Sequence, residues 1–159
     1  MKLIAALALA LSAVLVTPVF AENKTSGEAN MQILREKLKA DKKLVVAANM
    51  ELTDAEAKKF WPIYESYQKK LAGFNKRLAK VILDYAAADE KGAVTDALAK
   101  RLIDEAIKID QDVANARGSI AKKLSPVLPG RKLARYMQIE SKIRAAINYE
   151  LASGIPLVQ

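Results

Sequence analysis

The chain has neither cysteine nor histidine among its 159 residues. The lack of cysteine excludes disulfides, thiol nucleophiles and thiolate metal sites, and the lack of histidine excludes Ser-His-Asp triads and imidazole acid–base catalysis. The acidic residues are scattered along predicted helices instead of being paired. We therefore expect no enzymatic activity, no cofactor and no metal site, and an enzyme that uses carboxylates alone is the remaining alternative.

Long apolar runs are also scarce, and the clearest one lies at the start of the chain. A short positive start precedes an apolar run over residues 3–16, and Val19 and Ala21 occupy the small-residue positions that a signal peptidase reads. We predict that residues 1–21 are a cleaved signal peptide. The alternative is an uncleaved anchor, but the run is shorter than the roughly 20 residues that a membrane helix needs. The prediction implies that the mature protein is exported, with no membrane span and no access to cytosolic nucleic acid.

Basic residues outnumber acidic ones, 26 to 18, which gives a net charge of +8. Loss of Lys2 with the signal peptide leaves +7. Residues 22–28 are polar and have no hydrophobic period, so we predict a flexible leader. Residues 29–159 are rich in alanine, leucine, lysine and glutamate and show no strand pattern, which predicts one helical domain.

Four helices are predicted in this domain. The first covers residues 29–49, with a weak apolar stripe at Met31, Leu34, Leu38, Val45 and Ala48. The second follows the capping-box pattern of Thr53 and Glu56 and ends at Gly92. Its apolar positions alternate in steps of three and four residues, which is typical of a helix packed along its whole length. These positions are Ala57, Phe60, Tyr64, Tyr67, Leu71, Phe74, Leu78, Val81 and Tyr85.

Pro62 lies within the second helix and predicts a bend there, because proline cannot donate the helical hydrogen bond. Thr95 is the predicted cap of the third helix, and Pro126 and Pro129 separate that helix from a fourth over residues 131–152. The apolar stripe of the third helix is Leu98, Leu102, Ala106, Ile109, Val113, Ala116, Ile120 and Leu124. The stripe of the fourth is Leu133, Tyr136, Ile139, Ile143, Ala146 or Ile147, and Leu151.

The predicted fold class is all-α: four helices in an elongated hairpin or bundle. A tight bundle is one alternative, and an open hairpin covered by a second copy is the other, which the great length of the second helix favours. Several apolar residues lie outside the predicted stripes, and exposed apolar patches commonly mark an interface. They are Trp61, Ile63, Ile82, Leu83, Ile103 and Ile107. We therefore expect a homodimer related by a two-fold axis, in which this patch meets itself.

Two kinds of residue are candidates for binding a partner. Trp61 lies one position off the apolar stripe, beside Pro62, where it could line a groove. Basic residues flank the apolar stripe of the second helix and follow one side of the fourth helix, and a solvated face is the alternative interpretation of both. The candidate set is Trp61, Lys58, Lys69, Lys76, Arg77, Arg131, Arg135 and Lys142. Their charge would attract acidic polypeptides or anionic lipid headgroups.

Short motifs at the helix starts resemble those of the Spy/CpxP-like family of small periplasmic proteins, which is named for a repeated Leu-Thr-x-x-Gln motif. Residues 52–56 read Leu-Thr-Asp-Ala-Glu, with Glu56 at the glutamine position, and residues 124–128 read Leu-Ser-Pro-Val-Leu, with Leu128 there. The segments 60–64 and 149–158 also resemble a divergent branch of that family. The resemblance implies a cradle-shaped dimer that binds unfolded proteins without ATP or holds an envelope-stress sensor in its inactive state.

From these features we expect a non-enzymatic periplasmic protein that acts as an ATP-independent holding chaperone for unfolded envelope proteins. Its partners would be unfolded or acidic polypeptides. The alternative is a regulatory adaptor that binds the periplasmic domain of an envelope-stress sensor.

Overall fold

A computed structural model describes residues 41–158 of the chain. This part is all-α and contains four helices: α1 over residues 41–50, α2 over Asp54–Asp89, α3 over Asp96–Leu124 and α4 over Gly130–Gly154. No strand occurs within residues 41–158. The predicted signal peptide, the predicted leader and the first three stripe positions of helix one (Met31, Leu34 and Leu38) lie outside the described residues.

The predicted helix boundaries are confirmed where capping residues define them. The Thr53 hydroxyl accepts from the Glu56 amide at 3.3 Å, and the Glu56 carboxylate accepts from the Thr53 amide at 2.8 Å, which completes the capping box. Thr95 caps α3 by accepting from the Leu98 amide at 3.2 Å. Gly92, just beyond α2, has a φ of +59°, a left-handed conformation that glycine adopts without strain. Helix α2 continues through the exposed Pro62.

The helices alternate in direction, so the connections 51–53 and 125–129 lie at one end of the molecule and the α2–α3 turn lies at the other. Lys132, in the first turn of α4, donates to the Glu51 carbonyl between α1 and α2, at 2.7 Å. At the other end, the Tyr85 hydroxyl donates to the carbonyl of Pro156, just after α4, at 3.2 Å. We call the end with the connections 51–53 and 125–129 the corner end. The end with the α2–α3 turn and the last turns of α4 is the hairpin end.

The main core lies at the corner end, where all four helices contribute. Its fully buried side chains include Val46 and Met50 of α1, Phe60 of α2, Leu124 of α3 and Tyr136 of α4. Phe60 and Tyr136 meet edge to face, with ring centroids 5.2 Å apart. Aromatic pairs of this geometry add roughly 0.5–1.5 kcal/mol to what their area contributes. The core therefore joins the four helices at this end.

The hairpin end has a much smaller core. A cluster of Ile82 and Leu151, flanked by Leu78 and Ile155, joins the end of α4 to α2. Helices α2 and α3 pack closely, whereas α3 and α4 come near each other at few positions. At about 1.5 Å per residue, α2 is about 54 Å long, so the elongated shape predicted from its length is confirmed.

Three predictions about the burial of residues in α1 and α2 are wrong. Val45 and Ala48 are exposed, because the buried side of α1 carries Val46 and Met50 instead, one turn apart. Ile82, predicted to lie on the outside, is 8% exposed because α4 returns far enough for Leu151 to cover it. Trp61 and Ile63, predicted to lack cover, are half-buried against the main core.

The predicted stripe of α4 is buried only in part. Tyr136 and Leu151 are buried, and Leu133, Ile139 and Ile143 are half-buried. Ala146 and Ile147, the alternatives for one position, are both exposed, because residues 41–158 cover α4 poorly near the hairpin end. Within residues 41–158, no helix is both long and apolar enough to cross a membrane.

Candidate binding surfaces

The predicted basic residues of α2 occupy two different sides of that helix. Lys58, Lys69 and Lys76 are exposed. At 100° per residue they point the same way, opposite the buried Phe60 and Tyr64. The structure therefore places these three lysines in one row on the outer face of α2, in contact with water.

Arg77, the fourth basic candidate on α2, forms ion pairs with two carboxylates of α3. Its Nε donates to Glu105 at 2.8 Å and its Nη1 donates to Asp112 at 2.6 Å. The hydrogen bond to Glu105 is the main cause of the raised pKa of the Arg77 guanidinium, and the same bond lowers the pKa of Glu105. Arg77 is thus a link between α2 and α3, and the structure separates it from the lysine row.

Trp61 lies on the side of α2 that faces α1. Its ring meets Phe60 and Tyr64 edge to face, with centroids 5.0 and 5.3 Å away. The Lys43 ammonium of α1 lies 5.1 Å from the Trp61 ring centroid, within the range of a cation–π interaction. Packing on two sides leaves Trp61 only partly accessible, and it does not join the lysine row.

The candidates on α4 form a second row. Arg131, Arg135 and Lys142 are all exposed and share one side of the helix. Arg135 also pairs with Glu51, with 3.4 Å between its Nη1 and the carboxylate. Nearby, Lys132 pairs with Glu56 at 2.7 Å, and its hydrogen bond is the main cause of the lowered pKa of Glu56.

These α4 residues belong to the most basic part of the chain. Residues 117–144 contain eight basic residues and one acidic residue, a net charge of +7. This segment ends α3, forms the connection 125–129 and begins α4, so its charge gathers toward the corner end. Lys122 and Lys123 are exposed there as well. We call the exposed Lys122, Lys123, Arg131, Arg135 and Lys142 the basic corner.

The only acidic residue of that segment lies in the core. Glu140 is 5% exposed and joins three helices. One oxygen accepts from Lys42 of α1 at 2.9 Å, and the other accepts from Gln68 of α2 at 3.0 Å and from Tyr136 at 3.2 Å. Lys42 also donates to Gln68 at 2.9 Å. Burial is the main cause of the raised pKa of Tyr136, so this phenol stays protonated and can donate at neutral pH.

Sequence reasoning missed the network around Glu140, although one signal was present. Glu140 lies four residues after Tyr136 and three before Ile143, two residues of the predicted stripe of α4. This spacing places Glu140 on the buried side of the helix. A carboxylate there needs a buried partner, since an unpaired buried charge is costly. Lys42, in contrast, could not be found, because the predicted stripe of the first helix was misplaced.

Apolar exposure is concentrated at the hairpin end. Ile103 and Ile107 of α3 are 56% and 51% exposed, and Leu83 of α2 is 51% exposed. Leu83 lies on the same side of α2 as Glu65, which pairs with Lys43 of α1. Ile103 lies on the same side of α3 as Asp110, which pairs with Arg144 of α4. Leu83 and the two isoleucines therefore lie on opposite edges of the α2–α3 hairpin. The single self-complementary patch that the sequence predicted is not formed.

A shallow groove follows the outer side of the α2–α3 hairpin, with a volume of about 680 Å³. Its charged lining residues are of both signs: Arg77, Lys80, Asp84, Lys100, Arg101, Asp104, Glu105 and Lys108. The apolar residues Val81, Ala97 and Leu102 also line it. Mixed charge over an apolar floor suits loose contact with a flexible chain better than tight binding of one small ion.

No cluster of three or more acidic residues suited to a metal ion occurs in the described part of the chain. Comparisons with protein-family models, with curated proteins and with solved structures found no match to this chain.

Proposed function

We propose that this protein is a periplasmic, ATP-independent holding chaperone without enzymatic activity. The observation that carries the proposal is the separation of two surfaces on one elongated molecule. The basic corner carries most of the net charge, while the exposed aliphatic residues Leu83, Ile103 and Ile107 lie at the hairpin end. An unfolded chain offers both acidic segments and apolar side chains to such a surface.

The two surfaces would act at different stages of binding. The basic corner attracts an acidic segment over a distance of about 8 Å at physiological ionic strength, the length beyond which salt screens charges. Contact with the aliphatic residues then removes apolar area from water, at roughly 25 cal/mol per Å². Because the aliphatic positions are few and separate, the client stays loosely held and can fold on release.

A second copy of the chain is part of this proposal. Ile103 and Ile107 lie one turn apart on the exposed edge of α3, and two-fold dimers join the same patch from each subunit. Ile82 is buried within the chain, so its substitution would report on folding instead of on assembly. The informative substitutions are Ile103→Lys and Ile107→Lys, with sedimentation of residues 22–159 at micromolar concentration. A monomer mass for the unsubstituted protein would contradict the dimer.

Suppression of aggregation tests the chaperone proposal. The variant Lys122→Gln/Arg131→Gln/Lys142→Gln removes three charges from the basic corner, and Lys91→Gln/Lys100→Gln/Arg101→Gln removes three exposed charges from the hairpin end. We expect the unsubstituted protein to suppress aggregation of an unfolded acidic client at low salt, and the first variant to lose more of this activity than the second. No suppression at several-fold molar excess would overturn the proposal.

The excess of positive charge at the basic corner also suits a regulatory adaptor that recognises an acidic face of a stress sensor. In that case deletion of the gene would change the basal output of a stress reporter, and the basic-corner variant would reproduce the deletion. Normal output together with lost client protection would favour the chaperone.

A further inference from the structure

A cavity of about 90 Å³ lies inside the bundle, where α2, α3 and α4 diverge toward the hairpin end. Much of its lining is aliphatic or aromatic: Tyr67, Leu71, Leu78, Ile109, Val113, Ile143, Ile147 and Leu151. The wide spacing of α3 and α4 leaves the lining residue Ile147 44% exposed, so the described residues leave the cavity open on that side. Helical bundles commonly place ligand sites between facing helices in this way.

The positive side chains that line the cavity outnumber the negative ones. Three cations line it, Lys42, Arg117 and Arg144, with two carboxylates, Glu140 and Asp110. Lys42 pairs with Glu140 at 2.9 Å, and Arg144 lies 3.3 Å from Asp110. Within residues 41–158, Arg117 has no carboxylate partner. The lining therefore carries one uncompensated positive charge, and that charge is on Arg117.

The Arg117 side chain also has an unused hydrogen-bond donor. Its Nη2 donates to the Ser141 hydroxyl at 2.7 Å, and that hydroxyl donates to the Met137 carbonyl at 2.8 Å. Its Nε is buried and has no acceptor among the described residues. Buried donors are nearly always paired, because an unpaired one costs roughly 1–3 kcal/mol. A single acceptor with a negative charge would satisfy both the donor and the charge.

We propose that this cavity binds a short aliphatic carboxylate, with its carboxylate on Arg117 and its chain among the aliphatic side chains. The volume sets the length of the chain. A cavity of about 150 Å³ holds benzene, with six carbons, so 90 Å³ accommodates about four. The expected ligand is thus a monoanion close to pentanoate in size. Glu140 and Asp110 disfavour a dianion, since both already neutralise cations of the lining.

Calorimetric titration of residues 22–159 with straight-chain carboxylates from acetate to octanoate, at constant ionic strength, tests the proposal. We expect affinity to rise about four-fold per added methylene, the factor for burying one such group, and to level off beyond pentanoate. Pentan-1-ol and pentylamine should bind at least ten-fold more weakly than pentanoate. Equal binding of the carboxylate and the amine, or affinity independent of chain length, would overturn the proposal.

Variants separate the site from the general positive charge. Arg117→Gln should weaken pentanoate binding at least ten-fold, while Arg131→Gln, an exposed arginine of α4, should leave it unchanged. Ile143→Phe, which adds volume to the lining, should abolish binding through loss of space instead of charge. Circular dichroism and thermal unfolding identify any variant that fails to fold. Undiminished binding by the folded Ile143→Phe protein would show that the ligand binds elsewhere.

Discussion

The corner end and the hairpin end of this molecule are built from the same helices but packed differently. At the corner end, α1 and α4 both contribute to the main core, and Phe60 and Tyr136 are fully buried. At the hairpin end, Ile82 and Leu151 form the small core, and apolar side chains of α2, α3 and α4 contact water. Within residues 41–158, the burial of a stripe therefore follows the number of helices that pack around it more than the sequence of any one helix.

The polar contacts differ in the same way. Glu140 joins α1, α2 and α4 through three buried or half-buried partners near the corner end. Arg77 joins only α2 and α3, through half-exposed carboxylates. We therefore expect stability to be concentrated at the corner end, while the apolar and charged groups of the hairpin end contact water.

Two matched core truncations give the largest expected contrast. Leu124 at the corner end is fully buried, and Ile82 at the hairpin end is 8% exposed beside a small cluster. Leucine or isoleucine to alanine costs about 2–5 kcal/mol, depending on how well the site can collapse. We expect Leu124→Ala to lower the free energy of unfolding by about 4 kcal/mol and Ile82→Ala by about 2 kcal/mol, measured by urea denaturation. Equal losses would show that the two ends are packed alike.

Removal of the buried carboxylate should have the next largest effect. Glu140→Ala leaves the half-buried Lys42 ammonium without its anion, and removal of one partner of a buried ion pair costs about 3 kcal/mol or more. The double variant Lys42→Met/Glu140→Met replaces the pair by apolar groups and should recover most of that loss. If the double variant is no more stable than Glu140→Ala, the cost comes from lost packing and not from the unpaired charge.

The two helix caps should behave alike at either end, because capping is local. Thr53 and Thr95 each accept one amide hydrogen bond at similar distances, 3.3 and 3.2 Å. Thr53→Ala and Thr95→Ala should each lower the free energy of unfolding by about 1 kcal/mol. A clearly larger loss for Thr53→Ala in thermal or urea unfolding would mean that the corner-end cap is coupled to the main core.

The smallest expected effect is on the pH dependence of stability, to which two ion pairs contribute, one toward each end of the molecule. Lys132 lowers the pKa of Glu56 and Arg77 lowers the pKa of Glu105, in both cases from 4.5. A lowered native pKa contributes stability that is present above pH 4.5 and is lost as the pH falls through the native pKa. Lys132→Met and Arg77→Met should therefore each reduce the drop in urea midpoint between pH 7 and pH 3.5. An unchanged drop in both variants would contradict the assignment.

Much of the fold was predictable because long helices carry strong local signals. The capping box at Thr53, the cap at Thr95 and the left-handed Gly92 each define a helix boundary from a few neighbouring residues. The stripes of α2 and α3 were also predicted correctly, since their repeats extend over many turns. These signals are independent of what the helices pack against.

What the sequence did not predict depends on how far each helix reaches. Whether Ile82 or Ile147 is covered follows from where α4 ends, and no local pattern encodes that. Composition was enough to identify the basic residues. Their arrangement, with Arg77 separate from the lysine row and the basic corner grouped at one end, was not predicted, because it follows from how the helices pair. Arg117 was missed because it lies beside the stripe of α3, where an arginine is ordinarily solvated.

Backbone hydrogen exchange most directly tests the claim that stability is concentrated at the corner end. Exchange reports local opening along one helix, so the two halves of α2 and of α3 serve as their own controls. We predict that amides near Tyr64 and Ile120 exchange only through global unfolding, whereas those near Ile82 and Leu102 exchange through smaller openings and more rapidly. Equal protection along both helices, or stronger protection at the hairpin end, would contradict the account.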